Sequence, residues 1–477
     1  MHMSKRCLAV LLVAVLTLGF YSASLIDWDS EDVQENPLAL LNQKETIRVW
    51  YGDESLANYI SSAAVAYGEA NNVRVLPYYM AESDYLETIN KATLGESDET
   101  LPMPDVYLIS HESLERAYLA GLAVPVDDPT GVLSEDTFPQ AALSAVSYHG
   151  KSVAYPLYYE TSALLYNKTY LYEWARQQAG KADTEGNVEG EGGEFEELDE
   201  LPDEENSPVV FDEDTIALRT QQFLDRAIPT TVSDIQQMAD SFDPPEMVDI
   251  FSWDVSDIFY NYYFVGNYMN LGGEAGDDRN LIDIYNQETI SCLSVYQGLN
   301  QFFSIDSSEE GYESVLQDFL EGRLVFTIVT TDAVAVLDAA REEGSFTFEY
   351  GLALMPDPSA ELPGRSMSVT GVVAVNGYSE HQELANDFAA FLADGYAENL
   401  YDLTGKASAN RKVNQDNEAL QVFLAEYEDS MPLPKLMEAS NYWIQLEVLF
   451  AKVWNGEDVN GLVQQLDQQM RTQLVKN

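Results

Sequence analysis

The feature that most constrains this fold is the alternation of short apolar strands with helical patterns early in the chain. Residues 47–51 form an apolar strand pattern that ends in a turn at 52–54. Apolar residues then recur at helical spacing over 56–67, and further strand patterns follow at 73–76 and 106–109. Strands that alternate with helices favour βαβ units, so we predict an α/β fold with mainly parallel sheets flanked by helices.

Polar and aromatic residues follow two of these strands. Tyr51, Asp53 and Glu54 stand at the end of the first strand, and Glu112 follows the third. Ligands of such sheets meet the chain at the carboxyl ends of the strands, so we expect these four residues to contact a ligand. Glu112 has a simpler alternative role as a helix cap.

A further strand pattern, at 151–159, leads into a segment that could connect two lobes. It contains Pro156, which suits a strand end because proline cannot donate a ladder hydrogen bond. Two rings and a carboxylate follow, Tyr158, Tyr159 and Glu160. Because neighbouring strand residues point to opposite faces, one of the two tyrosines is expected to face the core.

The run G-K-x-x-A-Y-P-x-x-x-E-x-x-x-L-x-Y-N-K, at residues 150–168, resembles the crossover of the extracellular solute-binding proteins of the maltose-binding type. The resemblance implies a two-lobed periplasmic-binding-protein fold, type II-like, with the ligand cleft between the lobes. In that family the glutamate of this run hydrogen-bonds sugar hydroxyls, a role that falls on Glu160. The resemblance covers about 45–170 and 228–470.

Two later motifs resemble the same family. A helix-glycine-strand pattern ends at Thr330 and Thr331, and in the family the loop after this strand faces the cleft. Asp332 stands where the family often has an aromatic residue. In the family a tryptophan near the Tyr442-Trp443 pair stacks on sugar rings, which implies the same role for Trp443; core packing is the alternative.

A chain of 477 residues is too long for one ordinary core, so two lobes are expected. We predict that the chain crosses between them near 157–162, 365–375 and 405–415. The predicted N-terminal lobe comprises 45–157 plus 370–408, and the predicted C-terminal lobe comprises 160–365 plus 412–477.

The N-terminus has the pattern of an export signal. Residues 1–26 combine Lys5 and Arg6 with an apolar stretch, which predicts either a cleaved signal peptide or an N-terminal membrane anchor. Residues 27–44 are expected to form an acidic tether. We therefore predict an extracytoplasmic protein, at the cell surface or in the periplasm. Cys292 would then be the lone cysteine of the exported region, unable to form an internal disulfide and most simply a buried apolar residue.

An acidic insertion separates the crossover from the next family-like motif. It spans about 176–222, and its acidic residues are densest from 183 to 214. Such a composition resists packing, so a mobile surface loop is the main prediction. A cation-binding loop and a contact with another protein are the alternatives.

The charge balance excludes one class of function. The chain has 24 basic and 81 acidic residues and a formal net charge of −57, which would repel nucleic acid and anionic lipid headgroups.

Its histidines show no metal-ligand spacing, and we expect no metal, cofactor or catalytic residue. The enzyme alternative would use Glu112 and Glu160 as the acid and base of a glycosidase.

These patterns together predict a monomeric binding protein that captures a carbohydrate and delivers it to the permease subunits of an ABC importer. Apolar sugar faces would stack on Trp443 and on Tyr158 or Tyr159, while hydroxyls would bond carboxylates. Two alternatives stay open: an anchored ligand-binding module for a sensor kinase, and a binding protein for a cationic solute such as a polyamine. The predicted ligand contacts are Tyr51, Asp53, Glu54, Glu112, Tyr158, Tyr159, Glu160, Thr330, Thr331 and Trp443.

Overall fold

The computed structural model describes residues 44–81, 84–96, 101–181, 213–303, 305, 311–345 and 347–475. The predicted signal or anchor at 1–26 and all but the last residue of the predicted tether lie outside these ranges, as does the centre of the acidic insertion. Within the described ranges, no helix has both the length and the apolar character needed to cross a bilayer.

A first sheet is built by the early strands, with strand order β2-β1-β3-β12-β6. β1 pairs in parallel with β2 and β3, as the βαβ pattern predicts. β12 lies antiparallel to both β3 and β6. The strands of the first half of the chain are β1 (Thr46–Tyr51), β2 (Arg74–Tyr79), β3 (Val106–Ser110), β4 (Ser147–Tyr148), β5 (Lys151–Ser152) and β6 (Tyr155–Asn167).

A second sheet continues from the other end of β6. β10 and β11 pair antiparallel with β6, and β7 pairs in parallel with β10. The expectation of mainly parallel sheets is therefore wrong in detail, because the crossing strands run against their neighbours and make both sheets mixed. The later strands are β7 (Asp249–Phe251), β8 (Asn270–Gly272), β9 (Asp278–Asp283), β10 (Leu324–Thr330), β11 (Tyr350–Ala353), β12 (Met367–Val375) and β13 (Met431–Pro432).

β6 joins the two sheets, as the crossover motif predicts. Its first half, up to Thr161, pairs with β12, and its second half, from Ser162, pairs with β10. We call the part of the molecule around β1–β3 the N-terminal lobe and the part around β7, β10 and β11 the C-terminal lobe. The α/β two-lobed fold expected from the sequence is present.

Segment 407–409 runs beside β6 as a further crossing. The amide of Tyr159 donates to the carbonyl of Ala407 (3.1 Å), and the amide of Ala409 donates to the carbonyl of Leu157 (3.0 Å). These bonds place the loop before 410 next to the rings and carboxylate of β6.

Helices cover both sheets. The Thr231 side chain caps one of them reciprocally with Asp234 in a capping box. The helices are α1 (Ala57–Asn71), α2 (Tyr85–Leu94), α3 (Leu114–Leu119), α4 (Gln140–Val146), α5 (Lys168–Lys181), α6 (Glu213–Leu224), α7 (Val232–Ser241), α8 (Ile258–Asn261), α9 (Gln287–Phe303), α10 (Tyr312–Leu320), α11 (Ala333–Glu343), α12 (Gln382–Ala390), α13 (Leu400–Thr404), α14 (Glu418–Glu428), α15 (Tyr442–Trp454) and α16 (Val459–Val475).

Two of these helices correct the predicted limits of the acidic insertion. The ends of the predicted loop, 176–181 and 213–222, belong to α5 and α6. The rings of Trp174 and Phe223 pack edge to face between them, with centroids 5.9 Å apart. An aromatic contact of this kind holds the two helices together where they border the insertion.

The aromatic run at 251–269 forms core rather than a ligand platform in most of its length. Trp253 is fully buried and stacks on Phe251, with ring centroids 4.5 Å apart. Trp454 packs against Trp253 from the last part of the chain. Cys292 is buried in the same core, as expected for an apolar role.

Candidate ligand-binding site

Three of the expected ligand contacts meet around one lysine that the sequence analysis did not single out. The Lys406 ammonium lies 3.0 Å from Asp53 Oδ2 and 3.5 Å from Glu160 Oε1. It also sits 4.6 Å from the centroid of the Tyr158 ring, in cation–π geometry. We call Asp53, Tyr158, Glu160 and Lys406 the Lys406 cluster.

Asp53 is positioned by the turn that follows β1. Its carboxylate accepts hydrogen bonds from the Ser55 amide (2.9 Å) and hydroxyl (2.7 Å), capping the short 3₁₀ helix Glu54–Leu56. Burial alone would raise the pKa of Asp53, but the bonds from Ser55 and Lys406 outweigh it and lower that pKa. Asp53 is therefore a charged acceptor at the carboxyl end of a parallel strand.

Tyr158 and Glu160 come from one face of β6. Tyr158 pairs with Gly371 of β12, and the missing side chain there makes room for the ring, because a Cβ on Gly371 would lie 2.2 Å from it. Burial raises the pKa of Tyr158 to about 12, so its hydroxyl is neutral. Glu160 remains 43% exposed and open to a ligand.

Lys406 reaches the cluster because α13 ends in a left-handed residue. Gly405 adopts φ +72°, and the amide of Lys406 then donates to the Thr404 hydroxyl (3.0 Å). Burial would lower the pKa of Lys406, but Tyr158, Glu160 and Asp53 together raise it. One signal in the sequence could have identified Lys406. It is a basic residue, in a strongly acidic chain, within a segment that was expected to cross between the lobes.

A second group of expected contacts lines a cavity of about 330 Å³ between the lobes, which we call the Trp443 cavity. Glu112 enters from the 3₁₀ turn after β3, and Trp443 enters from the first turn of α15. Trp443 is half-buried and packs on Phe259, with centroids 6.5 Å apart, so it combines partial core packing with a face on the cavity. Glu112 is open to solvent, yet the surrounding protein raises its pKa, and Arg116 offsets part of this.

Two buried basic side chains lie behind this cavity. Lys435, itself a lining residue, donates from Nζ to the carbonyls of Ser144 (2.9 Å) and Ala275. His111 accepts from the Thr370 amide at Nδ1 (3.0 Å), so its Nε2 donates to the carbonyl of Leu433 (3.1 Å). Burial, aided by the charge of Lys435, lowers the pKa of His111 to about 3, which keeps the ring neutral.

The loop after β10 offers fewer open groups for a ligand than expected. The Thr330 hydroxyl bonds Asp332 and lies 3.3 Å from the hydroxyl of Tyr312. The Tyr312 ring stacks on Tyr260, with centroids 5.0 Å apart. Thr331 is 2% exposed and bonds the carbonyl of Tyr159 (3.4 Å), so it is structural.

Two expected contacts prove to be core residues. Tyr159 is 1% exposed and stacks on Tyr427 with centroids 4.0 Å apart, so Tyr158 is the less buried of the two tyrosines. Tyr51 is buried against Tyr79 (5.6 Å). Strand alternation explains the burial of Tyr159, whereas Tyr51 is buried because both faces of β1 are covered at its end, where Trp50 is also fully buried. Glu54 is exposed at the start of its 3₁₀ turn.

Larger cavities of about 630 and 780 Å³ lie around Tyr166 and Lys168, at the far end of β6. Lys168 follows Glu160 by eight residues, roughly 26 Å along an extended chain. We assign the candidate site to the Lys406 cluster and the Trp443 cavity, because these lie beside the crossing and after the strand ends. Among the residues that the structure describes, no group of three or more His, Cys, Asp or Glu side chains could hold a metal ion.

Comparisons with known proteins agree with the two-lobed fold. The sequence profile of a family described as bacterial extracellular solute-binding protein matches residues 62–422. An extracellular solute-binding protein from Staphylococcus aureus, solved with maltose, superposes with a TM-score of 0.67 at 18% identity, covering 91% of this chain and 98% of the other. A cyclo/maltodextrin-binding protein solved with maltotetraose gives a TM-score of 0.67 at 16% identity over 90% and 97% of the two chains. None of the curated proteins matches the sequence.

Proposed function

Because this chain belongs to the bacterial extracellular solute-binding proteins, we propose that it captures a carbohydrate between its lobes outside the cytoplasm. The observation that carries the proposal is the grouping of partly exposed carboxylates with aromatic rings beside the crossing strand. Glu160 and Asp53 lie next to Tyr158, and Glu112 shares a cavity with Trp443.

The chemistry of these groups suits a sugar. Carboxylates accept hydrogen bonds from hydroxyls, while the apolar face of a pyranose packs on an aromatic ring. Closure of the lobes would bury the carboxylates, and a solute without matching hydroxyls would leave them unsatisfied at a cost of about 1–3 kcal/mol each. Selectivity thus follows from hydrogen bonding more than from buried area.

The structural neighbours add support for the ligand class, since one was solved with maltose and the other with maltotetraose. We further propose that the chain acts as a monomer and delivers its solute to the permease subunits of an ABC importer. Neither its family nor these neighbours are enzymes, so a glycosidase reaction between Glu112 and Glu160 is the weaker hypothesis.

Thermal-shift measurements on the purified protein test the proposal with maltose, maltotriose, other neutral sugars and spermidine. A neutral sugar should raise the Tm at millimolar concentration, since a ligand stabilises the state it binds. Trp443→Ala should weaken this binding by about 1–3 kcal/mol through lost stacking. Trp174→Ala removes a tryptophan that packs on Phe223, away from the site, and should leave sugar affinity unchanged.

No shift with any neutral sugar, together with a clear shift with spermidine, would overturn the carbohydrate assignment. Equal loss of affinity in the Trp443 and Trp174 variants would remove Trp443 from the site.

A further inference from the structure

The Lys406 cluster has the composition of a site for an alkylammonium ion. Two carboxylates, Asp53 and Glu160, lie within 3.0 and 3.5 Å of a cationic nitrogen, and the face of Tyr158 lies 4.6 Å from it. Amine ligands are recognised by acids and ring faces of this kind. Here the position of the ammonium is taken by a side chain of the protein.

We propose that Lys406 is a specificity-determining residue: a tethered counter-ion that excludes cationic solutes from the site and leaves it selective for neutral polyhydroxylated ones. This inference rests on the proposed function and names the substrate class of the same site. A polyamine would have to displace a covalently attached ammonium that is already at contact distance from both acids, whereas a neutral sugar need not.

The backbone holds Lys406 in this position. Gly405 has φ +72°, the lysine amide bonds the Thr404 hydroxyl, and the next residue, Ala407, accepts a hydrogen bond from the amide of Tyr159. The Lys406 side chain is only 18% exposed. A side chain anchored on both sides in this way competes with a free cation at high effective concentration.

Acceptors for sugar hydroxyls remain when Lys406 is in place. Its contact with Glu160 uses Oε1 only, and the Glu160 side chain is 43% exposed. Asp53 is 40% exposed. The formal charge of the cluster is −1, from two carboxylates and one ammonium, and without the lysine it would be −2.

If Lys406 only stabilised the fold through its ion pairs, replacing it would not change the relative affinity for cationic and neutral solutes. Partly exposed pairs contribute little to stability, so stability alone would not reveal the role of Lys406. Selectivity between a cation and a neutral sugar is the distinguishing quantity.

Isothermal titration of the purified protein with spermidine, at fixed ionic strength, tests the inference. Lys406→Met should bind spermidine at least about tenfold more tightly than the unmodified protein, because the two acids then lack their cation. Lys406→Arg keeps the charge and should resemble the unmodified protein. Adding Glu160→Gln to Lys406→Met should reverse the gain.

Lys412→Met is the matched control. It changes the net charge equally and lies six residues away, but its ammonium bonds the Thr137 hydroxyl (2.8 Å) instead of the cluster. Any general attraction of spermidine to the acidic surface should be equal in the two methionine variants. Lys406→Gln repeats the test should Lys406→Met fold poorly.

Equal spermidine affinity in the Lys406→Met and Lys412→Met variants would overturn the inference, as would tight spermidine binding by the unmodified protein. A parallel titration with maltose, maltotriose and the other neutral sugars separates this failure from that of the proposed function. If neutral sugars bind but the two methionine variants do not differ with spermidine, only the role of Lys406 fails. If no neutral sugar binds the unmodified protein, the carbohydrate assignment fails.

Discussion

The Nη2 atom of Arg279, in the C-terminal lobe, lies 3.1 Å from Oε1 of Glu115 in the N-terminal lobe. That glutamate is 1% exposed. The buried carboxylate also accepts from the hydroxyl of Tyr148 and from the amide of Met437. Close by, the His149 amide donates to Asp277 (2.6 Å). The β8–β9 hairpin thus ties the two lobes together beside the Trp443 cavity.

Arg279→Met should destabilise the protein by about 2 kcal/mol, since a buried carboxylate would lose its cation while its other hydrogen bonds remain. Urea unfolding measures the change. Lys91→Met, which removes an exposed pair with Glu87, is the control and should have no measurable effect. Equal effects of the two changes would mean that the Arg279 contact does not stabilise the folded lobes.

Gly371→Ala should displace the Tyr158 ring from the Lys406 cluster, because the added Cβ would lie 2.2 Å from a ring carbon. We expect a loss of about 1–3 kcal/mol in stability and weaker binding of whichever neutral sugar raises the Tm of the unmodified protein. Gly298→Ala, in the exposed interior of α9 with open space around it, should instead gain about 0.5–1 kcal/mol. Unchanged sugar affinity in Gly371→Ala would place Tyr158 outside the binding surface.

Tyr158 and Tyr159 should respond to alanine in opposite ways although they are adjacent. Tyr159→Ala removes a core ring stacked on Tyr427 and should cost about 3–5 kcal/mol of unfolding free energy. Tyr158→Ala should lower ligand affinity by about 1–3 kcal/mol with a smaller loss of stability. Denaturant unfolding and sugar titration of both variants check this pair, and a reversed pattern would contradict the assignment of faces.

Acidification should destabilise the protein in part through His111. Its folded-state pKa is lowered from 6.5 to about 3, so between these values the unfolded chain binds the extra proton and stability falls as the pH falls. His111→Gln should remove this component, so the free energy of unfolding lost between pH 7 and pH 4 should be smaller by about 3 kcal/mol. Unfolding curves across that range measure the slope.

His381→Gln, at the partly exposed start of α12, is the control for this pH series and should retain the slope of the unmodified protein. An unchanged slope in His111→Gln would show that the buried imidazole does not set the acid sensitivity.

Local patterns were sufficient to predict the α/β class, the crossing at β6 and the position of Asp53 after a strand, while the family resemblance supplied the expected roles of Glu160 and Trp443. Each depends on residues close together in sequence: a strand followed by a turn, a proline before paired rings, or a tryptophan at the start of a helix. Neighbouring residues determine such features, so periodicity and turn chemistry carry the information.

The sequence by itself therefore determined the early strands and helices, the crossing at β6 and which acids follow the strands. Only the tertiary structure decided that Tyr159 and Tyr51 are buried, that the sheets are mixed, and that Lys406 lies between Asp53 and Glu160. These outcomes depend on pairs such as Lys406 with Asp53, which are 353 residues apart in the chain. Contacts at that separation arise from sheet register and packing, which no local pattern encodes.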